Sequence, residues 1–186
     1  MTRTQLSLLF SCSLIPWIVG NGMLPLLPVY ATQLVADPAV VGFYLSFAFL
    51  SLTAGTLGAG WLSDRLQTRK IPLVASCLVA VPATWLMGRA ANIWQLALLT
   101  ATFCLMAGIA VTSATILAGL LAGKEERGRV FGVMALASPL GSLIGGLATG
   151  FLADQWGYPA MFASLSLLLF LPLAGLLLPD KPVSQP

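Results

Sequence analysis

Gly60-Trp61-Leu62-Ser63-Asp64-Arg65-Leu66-Gln67-Thr68-Arg69-Lys70 packs Asp64, Arg65, Arg69 and Lys70 into one short stretch, and the sequence on either side carries no charge at all. Residues 39–62 before it and 71–88 after it are mostly apolar. A charged side chain at the centre of a bilayer-spanning helix costs about 3 kcal/mol. Such a cluster therefore belongs at a membrane surface, between two helices that cross. The same alternation runs the length of the chain. Nine Lys/Arg and six Asp/Glu collect in the gaps between six apolar runs, at about 6–28, 39–62, 71–88, 93–121, 130–153 and 160–178. A run of about 20 apolar residues is enough to cross the hydrocarbon layer. The reading is an all-α membrane protein with six transmembrane helices.

Composition agrees. Hydrophobic residues make up 58% of the 186 and charged residues 8%, where a soluble domain carries about 25% charged. Mean hydropathy is +0.94. Six spans use nearly the whole length, so the chain reads as one bundle over 1–186, with 180–186 as the start of a cytoplasmic linker or tail. The first run is long and interrupted by Asn21-Gly22 and Pro25, unlike a cleaved signal peptide. With the N-terminus inside, eight of the nine Lys/Arg are cytoplasmic and only Arg89 is outside. The positive-inside rule then places both termini in the cytoplasm, with the bundle in a bacterial-type inner or plasma membrane. The net charge of +3 reflects this topology and does not point to nucleic acid.

Local signals set several helix ends. Asp37-Pro38 combines a cap with proline at a first helical position, and Pro72 acts similarly. Pro16, Pro82, Pro139 and Pro172 fall inside runs, where they predict kinks. Cys12, Cys77 and Cys104 lie at membrane depth without metal-type spacing and read as small packing residues. The chain has no histidine, and no acid lies inside an apolar run. A Ser/His pair, a zinc site and paired intramembrane aspartates are thereby excluded, so neither an enzyme nor a metal or cofactor protein is expected.

An offset of 90 residues superposes parts of the sequence on itself. Gly42 falls on Gly132, Gly55 on Gly145, Gly60 on Gly150, Asp64 on Asp154 and Pro82 on Pro172. Spans one to three map onto four to six. Three is odd, so the second copy is inserted upside down. Repeats at about 1–90 and 91–180 form a 3+3 inverted repeat, an arrangement many secondary transporters use.

The opening stretch resembles the signature loop of the major facilitator superfamily, Gly-x-x-x-Asp-Arg-x-Gly-Arg-Arg/Lys. Gly60, Asp64, Arg65 and Arg69 match it, and Lys70 adds a cation. Gln67 and Thr68 depart from it. Gly20 with Pro25 and Pro28 is similar to the family's first-span ending. Lys124 to Gly132 resembles its connection between spans four and five. Gly141-Ser142-Leu143-Ile144-Gly145-Gly146 is similar to the Gly-Pro-x-x-Gly-Gly of its exporters, with Ser142 in place of the proline. The resemblance implies the N-terminal half of a twelve-span transporter that moves small solutes by alternating access. It implies that Asp64, Arg65, Arg69 and Lys70 help lock the cytoplasmic side against a second six-helix half. That half is either the C-terminal part of a longer chain or a homodimer partner.

Helical spacing nominates pathway residues. Trp17 and Asn21 share a face of span one, Tyr44 and Phe47 a face of span two, and Thr102, Met106 and Ser113 a face of span four. Asn21 is a costly amide at that depth unless it is paired or wet. Gly141/Gly145 and Gly146/Gly150 are spaced to let span five approach a neighbour closely. No buried cation or acid is expected within the spans, which favours small neutral or amphipathic solutes; export is what the resemblance of Gly141–Gly146 to the exporter motif implies. The expected partners are the lipid bilayer, a small-molecule substrate and a second half. The competing readings are a self-dimerising half-size transporter and a non-transporting scaffold or regulator built from such a half.

Overall fold

The computed structural model describes residues 3–34, 37–66 and 70–171, and every element in them is helical. The helices are α1 (Arg3–Met23), α2 (Leu26–Leu34), α3 (Pro38–Leu66), α4 (Lys70–Met87), α5 (Ile93–Leu121), α6 (Arg127–Ala135) and α7 (Ala137–Leu168). Arg69, Pro172, Lys181 and the expected linker lie outside the described residues.

Prolines account for most departures from six unbroken rods. The first span does not end near residue 28: it breaks at Leu24–Pro25 and resumes as α2 to Leu34. Pro25 and Pro28 have no N–H for the carbonyls of Asn21 and Leu24, so the ladder is cut there. Pro28 then sits in the first turn of α2, where a missing donor does no harm. The fifth span is likewise cut between Ala135 and Ala137, because Pro139 cannot bond the Ala135 carbonyl. Leu136 instead donates to Val133 O at 3.1 Å. Pro16 and Pro82 are accommodated inside α1 and α4. The fifth and sixth spans are not separated by a loop. α7 changes direction at Gly157, whose φ of 77° and ψ of 169° suit glycine, and Pro159 opens the next helical limb.

The Asp37 cap operates as expected, and a second cap, at Asn92, joins it. Ala39 N donates to Asp37 Oδ1 at 2.9 Å. Asn92 Oδ1 accepts from Gln95 N at 2.8 Å, while Gln95 Oε1 accepts from Ala91 N at 3.0 Å. This reciprocal pair fixes the start of α5. α3 runs four residues beyond the expected end at 62, so Asp64 and Arg65 belong to its last turn and not to a loop.

Among the described residues, four helical segments are long and apolar enough to cross a membrane: Gln5–Met23, Pro38–Arg65, Ile93–Leu121 and Arg127–Leu168. The last has 42 residues and holds the two limbs joined at Gly157. Ile71–Met87 is a shorter apolar helix. Phe43, Leu57, Trp94 and Leu147 are each more than 70% exposed. An apolar surface on that scale needs a bilayer or another bundle to cover it.

Two helix crossings are closer than side chains normally allow. A Cβ added to Gly108 would lie 2.9 Å from Thr56 N, and one added to Gly55 would strike the Leu105 carbonyl. α3 and α5 therefore meet backbone to backbone. A Cβ on Gly22 would lie 2.8 Å from Gly145 Cα, and one on Gly145 would strike the Ile18 carbonyl, so α1 and α7 meet the same way. Gly141 joins this second crossing, 2.6 Å from Trp17 Cβ by the same construction. Gly146 and Gly150 do not: neither has any neighbour within 4 Å of an added Cβ, because they lie round the helix from the crossing. Gly60 also faces open space. Thr149 ties the second crossing together, its hydroxyl lying 2.7 Å from both Gly22 O and Gly145 O.

Candidate functional site

Between α1, α3 and α5 lies a cavity of about 250 Å³. α1 contributes Pro16, Trp17, Gly20 and Asn21, which lie on one face of the helix. α3 contributes Leu45, Ala48, Phe49, Leu52 and Thr56. α5 contributes Thr100, Phe103, Cys104, Ala107, Gly108, Val111 and Thr112. The Gly55/Gly108 crossing pins α3 to α5 on one side, and Gly20 admits the Phe103 ring, 3.7 Å from where a Cβ would be.

Among the described residues, no ionisable acid or base other than the Cys104 thiol lines this cavity. Its polar groups are an amide, an indole, a thiol and three hydroxyls. Thr56 Oγ1 donates to Leu52 O within its own helix at 3.0 Å. Thr100 Oγ1 lies 3.1 Å from Tyr44 Oη, a buried bond between α5 and α3. Asn21 Nδ2 donates to Ser142 Oγ on α7 at 2.8 Å. Ser142 in turn donates to Ser138 O at 3.0 Å. The cavity can take up an apolar body and offer it a few neutral hydrogen-bonding groups. It holds no fixed charge to pair with an ionic solute.

A second, predominantly apolar cleft of about 520 Å³ lies between α3 and α5, lined by residues that include Tyr44, Phe47, Trp94 and Leu98. The nominated residues thus divide. Trp17 and Asn21 line the first cavity, and Tyr44 and Phe47 line the second. Thr102, Met106 and Ser113 line neither. The Thr102 hydroxyl is taken up by Leu98 O at 2.8 Å. Met106 packs against the main hydrophobic core, and Ser113 Oγ is buried with no hydrogen-bond partner among the described residues.

The α5 residues that sequence reasoning passed over are Thr100, Cys104 and Thr112. With Gly108 they recur every fourth residue, and that stripe was visible in the sequence. Small polar residues stand on both sides of α5, and Thr102 is turned about 200° from Thr100. Spacing alone does not say which stripe meets the cavity. Thr56 and Ser142 were also passed over as cavity residues or their supports.

At one end of the bundle, Asp64 and Arg65 are exposed on the last turn of α3. The Arg65 guanidinium lies 5.2 Å from the centre of the Trp61 ring, one turn back. Lys70 opens α4. At the other end Arg89 stacks 3.7 Å from the Trp85 ring.

Comparison with known proteins gives the same picture. The Major Facilitator Superfamily profile matches residues 8–186. Multidrug resistance protein MdtG of Klebsiella pneumoniae (strain 342) is 34% identical over 154 residues, 80% of this chain and 37% of that protein. MdtG of Citrobacter koseri is 36% identical over 153 residues, 79% of this chain and 37% of its own length. The chain thus spans little more than a third of the curated relatives it matches. Among solved structures, a peptide transporter POT crystallised with sulfate superposes with a TM-score of 0.83 at 18% identity, covering 92% of this chain and 37% of that one. The POT family transporter PepTSo gives 0.82 at 14% identity, covering 100% and 40%. At these identities the superpositions speak for the fold alone.

Proposed function

We propose, from the premise that this chain belongs to the major facilitator superfamily, that it forms six helices of an exporter for small neutral or amphipathic solutes. The solute would pass through the cavity between α1, α3 and α5 by alternating access. The observation that carries this reading is the cavity itself: largely apolar, with neutral polar groups and no fixed charge. The resemblance to multidrug resistance proteins favours export.

A second six-helix half would complete the path, since alternating access needs two bundles that rock about a midplane site. Both termini would be cytoplasmic. Two observations favour the inverted repeat. Gly55 crosses α5 beside Gly108, and Gly145 crosses α1 at Ile18. Each pair maps onto the other at the 90-residue offset, as 55 onto 145 and 18 onto 108. Asp64 and Arg65, exposed at the end of α3, would help close the cytoplasmic side by pairing with the other half.

The test is efflux of N-phenyl-1-naphthylamine, a neutral amphipathic fluorophore, from cells expressing the protein that carries this chain. Export is expected in the wild type, with a loss of about tenfold in Asp64→Asn at unchanged membrane level, roughly one charge-assisted contact. Equal efflux in both would remove Asp64 from the mechanism. No efflux in the wild type is what a non-transporting scaffold would give.

A further inference from the structure

Asn21 is the one primary amide that reaches the cavity, and its partner fixes which end of that amide is left over. Ser142 Oγ carries a single proton, and it is committed to Ser138 O at 3.0 Å. Towards Asn21 the same oxygen can therefore only accept. With that proton on Ser138 O, the Asn21 amide turns its NH2 to Ser142, at 2.8 Å. The reverse orientation would set the Asn21 oxygen against Ser142 Oγ with no proton between them. Asn21 Oδ1 then makes no hydrogen bond within the described residues. It is an uncommitted acceptor on a residue that lines a cavity otherwise dominated by apolar side chains.

From this geometry we infer that the cavity selects solutes carrying one hydrogen-bond donor on an apolar body, read by Asn21 Oδ1, with Ser142 as the positioning residue that holds the acceptor outward. The inference rests on the cavity being the solute site. The remaining polar liners do not supply a competing acceptor of the same kind. Thr56 spends its proton on Leu52 O and offers only a hydroxyl oxygen, a weaker acceptor than an amide carbonyl, and Thr100 is paired with Tyr44. The Thr112 hydroxyl can both donate and accept, and so does not discriminate. Trp17 offers only an indole N–H. An amide carbonyl locked by a neighbour costs little to reorganise when the solute arrives, which is what makes it selective.

The experiment uses a matched pair, N-phenyl-1-naphthylamine and its N-methyl derivative, which differ in a single N–H. Each competes against a photoactivatable azido analogue for labelling of the cavity, in membranes holding the whole protein. Half-displacing concentrations are corrected for the membrane partitioning of each compound. The wild type is expected to prefer the N–H compound by about two- to tenfold, the range one neutral hydrogen bond supplies. Asn21→Leu should bring the ratio to about one. Ser142→Ala frees the amide to rotate and should lower the ratio. Ser142→Thr keeps the acceptor and should restore it, which a packing role for Ser142 would not require. A ratio unchanged in Asn21→Leu overturns the inference, and so does full preference in Ser142→Ala. A cavity that is labelled but shows no N–H preference overturns this inference and leaves the transport reading standing. If the label never reaches the cavity, both fall together.

Discussion

Asn92 and Thr149 show how single polar groups hold an apolar bundle in register. Asn92 satisfies Gln95 N at the mouth of α5, a donor that would otherwise have no partner at the helix start. Asn92→Ala is expected to cost about 1 kcal/mol, read as a lower midpoint in chemical unfolding of the detergent-solubilised protein. Thr149 is fully buried, and its single hydroxyl proton is shared between carbonyls on two helices. Thr149→Val keeps the shape and leaves the Gly22 carbonyl without its donor, a loss of about 1–2 kcal/mol by the same measurement. The cap at Asn92 was not read from sequence, although Asn92 followed three residues later by Gln95 is the pattern of a reciprocal cap. The cap at Asp37 was read, because proline follows it directly. Asn21 was legible as a costly amide at depth. Its partner was not, because a contact across 121 residues leaves no mark in local spacing.

At the scale of the helices, glycine and proline placement decides the architecture. Gly145→Ala would set a methyl 2.9 Å from Gly22 Cα and against the Ile18 carbonyl. The expectation is a destabilisation of about 1–3 kcal/mol from overpacking, or loss of the folded bundle. Gly146→Ala, with nothing within 4 Å, should leave the unfolding midpoint unchanged or slightly raised by helix propensity. Equal behaviour of the two variants would contradict the crossing. The sequence alone grouped Gly141/Gly145 with Gly146/Gly150, since both pairs have the same spacing. Only the packing tells the face at the crossing from the one turned away. The six apolar runs were legible because insertion forbids charge within them. The breaks at Leu24–Pro25 and at Leu136 were harder to place, because a proline cuts the ladder up to a turn before itself. The short turn at Gly157 shows that charge gaps mark where a span ends without saying how the chain turns.

The whole molecule joins a lipid-sized apolar exterior to an interior cavity that has hydrogen-bonding groups but no fixed charge. Charge-free spans followed from sequence, and so did the class of solute expected. Which helices enclose the cavity did not, because that depends on the two glycine crossings that pin α3 to α5 and α1 to α7. The proposed solute site is the space between α1, α3 and α5. Photolabelling with the azido analogue of N-phenyl-1-naphthylamine, followed by peptide mapping of the modified residues, tests it most directly. Label is expected on cavity residues such as Trp17 and Cys104, displaced by excess unlabelled compound. Label confined to outward residues such as Phe43 and Leu57, and not displaced, would contradict it.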